Sequence, residues 1–204
     1  MNTKSGQSLL ETIIAIGVIM SATIAATSLI VSTITAGQAS QEKIEAANFA
    51  REGIEVIRGI RDSNWLKIDH NQLDSSGSSY LWNTGLGSGT DNIVFQYVLV
   101  FQPVGVGWQA KKISGPTPPS NETSDSYIYL PASGQYFTQA TATVPCAGCQ
   151  RTRYTRVISV TKKTESLFSG TTSVQYIDLT STVTWTDQLG LHHLDASARL
   201  YNWK

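Results

Sequence analysis

The sequence predicts an α+β fold, in which one long N-terminal helix packs on a C-terminal antiparallel β-sheet. A long uncharged apolar stretch runs directly into a segment with helical spacing of apolar residues, and this pattern stops at residue 62. The second half consists of strand-like segments separated by short turns, and such strands pair as antiparallel neighbours. The 204 residues therefore divide into a helix to residue 62, a Gly/Ser-rich loop over 63–92 and a β domain over 93–204.

The first part of the predicted helix is long enough to cross a membrane. Residues 12–36 carry no charged side chain, and about 20 apolar residues span a bilayer. We therefore expect 7–36 to be a transmembrane segment. The helical repeat continues over 37–62, which we expect to be an amphipathic extension of the same helix outside the membrane. The residues predicted for its packing face are Ile44, Ala47, Ile54, Ile57 and Arg61.

Two glycines interrupt this extension. Gly53 and Gly59 each weaken a helix by about 1 kcal/mol relative to alanine, and we expect them to permit close packing against the following domain rather than to form a hinge. On the solvent side, residues four apart on a helix are neighbours. The expected charge pairs there are Arg51 with Glu55 and Arg58 with Asp62.

Hydroxyl side chains are frequent in the apolar stretch. Serine or threonine occupies eight of the 25 positions in 12–36. Four of them, Ser21, Ser28, Ser32 and Thr35, fall on one narrow stripe of the helix. Small residues on a stripe let helices approach closely in a membrane. Alternatively, the hydroxyls bond to carbonyls of the preceding turn, and the sequence leaves both interpretations open.

Glu11 stands at the entrance of the apolar stretch. A charge within a spanning segment costs roughly 3 kcal/mol unless it is paired, so it indicates a function by default. A secretory signal has an apolar region of only about 7–15 residues, and an ordinary signal anchor offers no reason for this carboxylate. A purely structural alternative is a first-turn acidic residue that interacts favourably with the helix dipole.

The run "KSGQSLLE", followed by a long apolar helix, resembles the leader of type IV prepilins, a family that includes pilins and type II secretion pseudopilins. The resemblance implies that a prepilin peptidase removes residues 1–6 by cutting between Gly6 and Gln7, and that it methylates the new amine of Gln7. Gln7 departs from the family, which usually has Phe or Met there. The residues implied in leader recognition are Lys4, Leu9 and Leu10.

The resemblance also implies a role for Glu11 and a set of partners. Glu11 would be the fifth residue of the mature chain, and its carboxylate would pair with the α-amino group of a neighbouring subunit and so set the axial register. The implied partners are other pilin subunits, a platform protein and, indirectly, an assembly ATPase. Lys4 favours the cytoplasmic side, so the β domain is expected outside the membrane and then on an extracellular or periplasmic filament.

The expected function is that of a non-enzymatic structural subunit of such a filament, and the alternative is a single-pass anchored adhesin-like domain that never polymerises. No hydrolase elbow, zinc-protease or P-loop motif occurs, and no cofactor is predicted. Charged residues make up 15% of the chain, with 15 basic against 15 acidic side chains. This balance gives no basic footprint for nucleic acid.

Cys146 and Cys149 form a single C-x-x-C pair. The pair supplies only two of the four ligands that structural zinc requires, so no metal site is predicted. In an oxidising exterior we expect a small disulfide that closes a turn, while free thiols and redox chemistry remain as alternatives.

The β domain is expected to contain seven strands, at 93–103, 106–113, 127–131, 135–145, 153–163, 172–187 and 191–204. Aromatic residues lie in or near its loops: Trp65, Tyr80, Trp82, Trp108, Tyr127, Tyr129 and Tyr136. They either fill the core between helix and sheet or form an exposed face for a ligand or partner.

Overall fold

The chain forms one helix followed by seven strands in the part that a computed structural model describes, which comprises residues 5–74, 76–87, 90–102, 107–114, 126–140, 146–167, 172–187 and 190–203. The helix α1 spans Ser5–Asp69. The strands are β1 (Val94–Gln102), β2 (Gly107–Ser114), β3 (Tyr127–Leu130), β4 (Thr138–Gln139), β5 (Gln150–Leu167), β6 (Thr172–Asp187) and β7 (Gly190–Tyr201). The predicted α+β class is confirmed. The chain divides into a first unit, Met1–Ile44, and a second unit, Glu45–Lys204.

The α1 residues of the second unit bury one helical face. Ala46, Ala50, Ile54, Ile57 and Arg61 recur at three- and four-residue spacing, and all are buried. Predicted face residues Ile54, Ile57 and Arg61 are thus confirmed, and Ala47 is half-buried. The prediction is wrong for Ile44, which is 60% exposed and belongs to the first unit.

The helix does not end at residue 62 but continues to Asp69. Asn64 and Trp65 extend the buried face, so burial continues past the predicted end. The helix is terminated by Asn71, whose φ of 50° is left-handed. The amide of Gln72 donates to the carbonyl of Lys67 at 2.9 Å, and the amide of Asn71 to that of Ile68 at 3.0 Å, which is the bonding of a Schellman motif.

The segment predicted as a Gly/Ser-rich loop over 63–92 is helical as far as Asp69 and partly buried beyond it. The side-chain amide of Asn64 donates to the carbonyls of Trp82 at 3.2 Å and Thr84 at 2.8 Å. Trp82 and Leu86 are buried in the core. The helix side chain Asn64 therefore holds this segment against α1.

The sheet is antiparallel and forks at β5. One edge of β5 pairs with β6, which in turn pairs with β7. The opposite edge is shared: residues 158–161 pair with β1, and residues 150–155 pair with β3. We call the gap on this edge, between Thr155 and Ile158, the fork. Strands β2 and β4 complete the sheet beside β1 and β3.

Two apolar clusters join α1 to the sheet in the second unit. Apolar side chains at alternate positions of β6 face this core, and Ile177, Leu179, Val183 and Trp185 are all buried. The larger cluster contains Val56, Ile57, Trp65, Trp82, Leu86, Tyr97, Leu99, Ile158, Val160, Ile177, Leu179 and Leu200. The smaller contains Ala46, Phe49, Ala50, Ile128, Tyr154, Val183 and Trp185.

The two helix glycines differ in their surroundings. A Cβ added at Gly53 would lie 2.6 Å from Ser181 Oγ and 3.1 Å from Ile158 Cδ1, so the predicted close packing is confirmed there. At Gly59 nothing lies within 4 Å, and the prediction of close packing is wrong. Of these two glycines, only Gly53 lies so close to the sheet that a side chain would not fit.

The acidic residues that were predicted to form charge pairs on the surface of α1 have different partners in the structure. Glu55 pairs with Arg58 at 2.7 Å rather than with Arg51. Asp62 pairs with its neighbour Arg61, also at 2.7 Å, rather than with Arg58. The side chain of Arg61 is 11% exposed and that of Asp62 is 50% exposed, so this pair joins a mostly buried cation to a carboxylate at the surface.

Replacing Gly53 by valine is expected to lower the free energy of unfolding by about 2 kcal/mol, because the new side chain overfills the helix–sheet contact. Gly59→Val is the matched control, and its effect should stay within about 0.5 kcal/mol because valine and glycine differ little in helix propensity. Chemical unfolding of the detergent-solubilised chain, followed by tryptophan fluorescence, measures both. Equal losses in the two variants would contradict the close contact at Gly53.

Candidate functional site

The apolar half of α1 in the first unit is a candidate site because its large side chains are exposed along its whole length. From Leu9 to Ile34, the large hydrophobic side chains are between 49% (Ile16) and 71% (Ile24) exposed. By length and composition the helix can cross a membrane. Exposed apolar surface of this extent marks a contact with lipid or with another protein.

Glu11 lies at the start of this surface, on the second turn of the helix. Its side chain is exposed, and among the described residues no cation lies within 4.0 Å of its carboxylate. Leu9 and Leu10 are 66% and 62% exposed beside it. A carboxylate flanked by apolar side chains requires a cation or water once that surface is covered.

The remaining leader residues are described only in part. Gly6 and Gln7 belong to α1, which begins at Ser5. Lys4 lies outside the described residues. The expected cleavage point between Gly6 and Gln7 therefore falls within the first turn of the helix.

Most hydroxyls of the apolar half bond to their own helix. Thr23, Thr27 and Thr33 each donate to the carbonyl four residues earlier at 2.8 Å. Ser21 donates to Val18 at 2.9 Å, and Thr35 donates to Val31 at 3.1 Å. These bonds favour the second interpretation of the hydroxyls, because they satisfy the polar groups without a neighbouring helix.

A buried arginine is the main polar site that the sequence did not reveal. Arg156 of β5 is fully buried. Its Nη1 donates to Glu52 Oε2 at 2.9 Å and to the carbonyl of Phe49 at 3.1 Å, both on α1. Burial lowers the pKa of the Arg156 guanidinium, and the Glu52 carboxylate opposes that shift. Nothing local in "RYTRVIS" distinguishes the buried Arg156 from the exposed Arg153, so the signal is tertiary.

Gln139 of β4 completes this polar centre at the fork. Its Oε1 accepts from the amide of Leu99 at 2.9 Å and from Nε of Arg156 at 3.3 Å. Its Nε2 donates to the carbonyls of Ser126 at 2.7 Å and Arg156 at 2.6 Å. One fully buried amide therefore satisfies groups of β1, of β5 and of Ser126, which directly precedes β3. Its role is structural, because every partner is a backbone group or a side chain held in the core.

A second charged cluster lies on the outer face of β5, β6 and β7. Asp178 accepts from Lys163 and Arg199, each at 2.8 Å. Partial burial raises the pKa of Asp178, but the hydrogen bonds from these cations outweigh burial and leave the pKa below its ordinary value. Each of these side chains is between 29% and 43% exposed, so the cluster is a solvated surface network.

Cys146 and Cys149 are joined by a disulfide, with Cα atoms 5.6 Å apart, a usual spacing for this bond. The bridge closes the turn that precedes β5 at Gln150. Among the residues that the structure describes, no group of three or more His, Cys, Asp or Glu side chains is placed to hold a metal ion.

The aromatic residues mostly fill the core. Trp65 and Trp82 are 9% and 5% exposed, and Trp108 packs against the same cluster. The tyrosines Tyr80, Tyr127, Tyr129 and Tyr136 are half-buried. Cations cover two of these rings, with Lys67 over Tyr80 and Arg151 over Tyr127, both 4.5 Å from the ring centre. The core interpretation is therefore favoured for the tryptophans.

Comparisons with known proteins return no relative: no family model matches the chain, and no curated protein or solved structure is significantly similar to it.

Glu52→Ala is expected to lower the free energy of unfolding by about 3 kcal/mol, because it leaves the buried Arg156 cation without its carboxylate. The matched control is Glu55→Ala, which removes the exposed pair with Arg58 and should cost less than about 1 kcal/mol. Tryptophan-fluorescence unfolding in detergent compares the two. A smaller loss for Glu52→Ala than for Glu55→Ala would show that the buried pair does not hold α1 to the sheet.

Proposed function

We propose that this chain is a structural subunit of a type IV pilus or of a type II secretion-like filament. In this proposal, a prepilin peptidase removes residues 1–6, and the mature chain polymerises through the apolar half of α1. The observation that carries the proposal is the combination of Glu11 with an uncharged stretch over residues 12–36, directly after the "KSG" leader. An anchor alone has no use for that carboxylate.

Two structural features support the proposal. The apolar half of α1 has exposed side chains throughout, as expected for a surface that lipid covers before assembly and other copies cover afterwards. The hydroxyls in this half largely bond to their own helix. Association of such helices would then depend on side-chain packing and not on hydrogen bonds between helices.

Glu11 would give the assembly its register. A carboxylate surrounded by apolar side chains is costly unless a cation reaches it, and cleavage after Gly6 creates a new cation, the α-amino group of Gln7. If copies stack with that amine beside Glu11, the charge is neutralised, whereas a shifted stack leaves it unpaired. The β domain would form the outer surface of the filament. Each subunit would cross the membrane before it is assembled.

The alternative is a single-pass anchored binding domain that does not polymerise. It explains the apolar segment equally well, because both functions require a helix that can cross a membrane. It differs in predicting an intact or differently processed N-terminus. The two experiments below separate the functions.

The mature N-terminus is expected to be Gln7 when the chain is produced with a prepilin peptidase. Intact-mass and N-terminal peptide analysis should show loss of "MNTKSG", and a further 14 Da if the new amine is methylated. Gly6→Val should block this processing, because the resemblance places Gly6 at the scissile bond. Gly17→Val, with nothing within 4 Å of the site, is the control that should still be processed. An unprocessed wild-type chain would refute the proposal.

Glu11→Gln is expected to leave membrane insertion intact and to reduce incorporation into filaments at least about tenfold, because it removes the charge that a correct stack neutralises. Glu55→Gln changes an exposed carboxylate of the second unit and should assemble normally. Membrane fractionation and quantification of sheared filaments measure the two steps separately. If Glu11→Gln assembles normally, Glu11 does not set the register. The cleavage experiment would then still test the family assignment.

A further inference from the structure

We propose that β3 and β4 open from the sheet as one unit while α1 and the other strands stay folded, and that Gln139 is the latch of this unit. We call residues 126–139 the strap. The proposal does not depend on the filament function, because it rests only on contacts within the second unit.

The strap has little backbone pairing of its own. β3 has four residues and β4 has two, whereas β5 and β6 have 18 and 16. The pairing of β3 with β5 is also irregular between Tyr127 and Tyr129. Segments with few ladder bonds open at a lower free energy than the long strands around them.

Where the strap meets β1, side-chain hydrogen bonds take the place of backbone pairing between strands. Beyond Tyr97, β1 no longer pairs with β5. The amide of Leu99 instead donates to Gln139 Oε1, and the amide of Phe101 donates to Thr138 Oγ1, both at 2.9 Å. Two amides of β1 are therefore protected by side chains of the strap and not by a neighbouring strand.

The arrangement of Gln139 makes the opening cooperative. Within the strap its amide bonds to Ser126, and outside the strap it bonds to Leu99 of β1 and to Arg156 of β5. A small displacement would leave these groups buried without partners, whereas a complete opening lets water replace every lost bond. The strap therefore has two favourable states, closed and fully open.

Opening uncovers two surfaces at one place. Ile128 of β3 is fully buried in the cluster with Ala46, Phe49 and Ala50 of α1, so its departure exposes an apolar helix face. It also frees the edge of β5 from Gln150 to Thr155. An unpaired strand edge beside an apolar surface is what an extended peptide segment binds.

Residue-resolved hydrogen exchange of the full chain in detergent tests the opening. The amides of Leu99 and Phe101 should exchange together with the protected amides of β3, at least about tenfold faster than amides paired between β5 and β6, which report global unfolding. If Leu99 and Phe101 instead exchange with the β5–β6 amides, the strap does not open separately and the proposal fails. Exchange of β3 without Leu99 and Phe101 would also overturn it.

Thr138→Val sharpens the test, because Thr138 contacts Phe101 but makes no hydrogen bond to Leu99. The Thr138 hydroxyl accepts from the Phe101 amide and donates to the Gln139 carbonyl, so its removal should speed exchange of Leu99 and of β3 at least about fivefold. Thr180→Val is the control, because it removes a hydroxyl of β6 that bonds to Ser197 of β7, neither of which pairs with the strap, and it should leave Leu99 unchanged. Faster exchange of Phe101 alone would mean that each bond breaks independently. If Thr138→Val does not fold, the wild-type comparison alone decides.

Discussion

A buried guanidinium fixes the position of the helix on the sheet. Arg156 is fully buried on β5, and a buried charge is stable only when it is paired and hydrogen-bonded. Its partners are Glu52 and the carbonyl of Phe49 on α1, and Gln139 on β4. Sliding or rotating this part of α1 would leave the charge uncompensated. The contact therefore sets the register of an interface whose other contacts are mostly apolar and would tolerate a shift.

The approach of the helix at Gly53 and the polar centre depend on each other. Gly53 has no side chain, so α1 approaches close to Ser181 and Ile158. This short separation lets the Glu52 carboxylate reach Arg156 at 2.9 Å. The same arginine holds Gln139, which bonds across the fork. Glycine packing, the ion pair of the buried Arg156 with the partly exposed Glu52 and the closure of the fork are therefore parts of one arrangement.

The helix carries two kinds of surface along one continuous element. In the second unit its apolar side chains are buried by the sheet, while in the first unit they remain exposed. Exposed apolar surface of this extent is typical of a contact with lipid or with another protein. In the proposed filament, the exposed half of α1 lies first in lipid and then against other copies of the chain. The carboxylate of Glu11 would distinguish correctly from incorrectly placed copies.

The sequence by itself determined the elements whose signals are local and periodic: the apolar helix, its continuation through Ile54 and Ile57, and the longer strands. The strand predicted at 135–145 is wrong for 135–137 and 140, because only Thr138–Gln139 is strand there, and 141–145 lie outside the described residues. The sequence could not determine where the helix ends, because Asn64 and Trp65 stay helical through contacts with residues near 82–84 that are distant in sequence. Nor could it identify Arg156 or Gln139, whose neighbours lie on other strands and on the helix. Periodicity reports which face of an element is apolar, whereas the pairing of a buried polar group depends on which elements meet, and only the tertiary structure decides that.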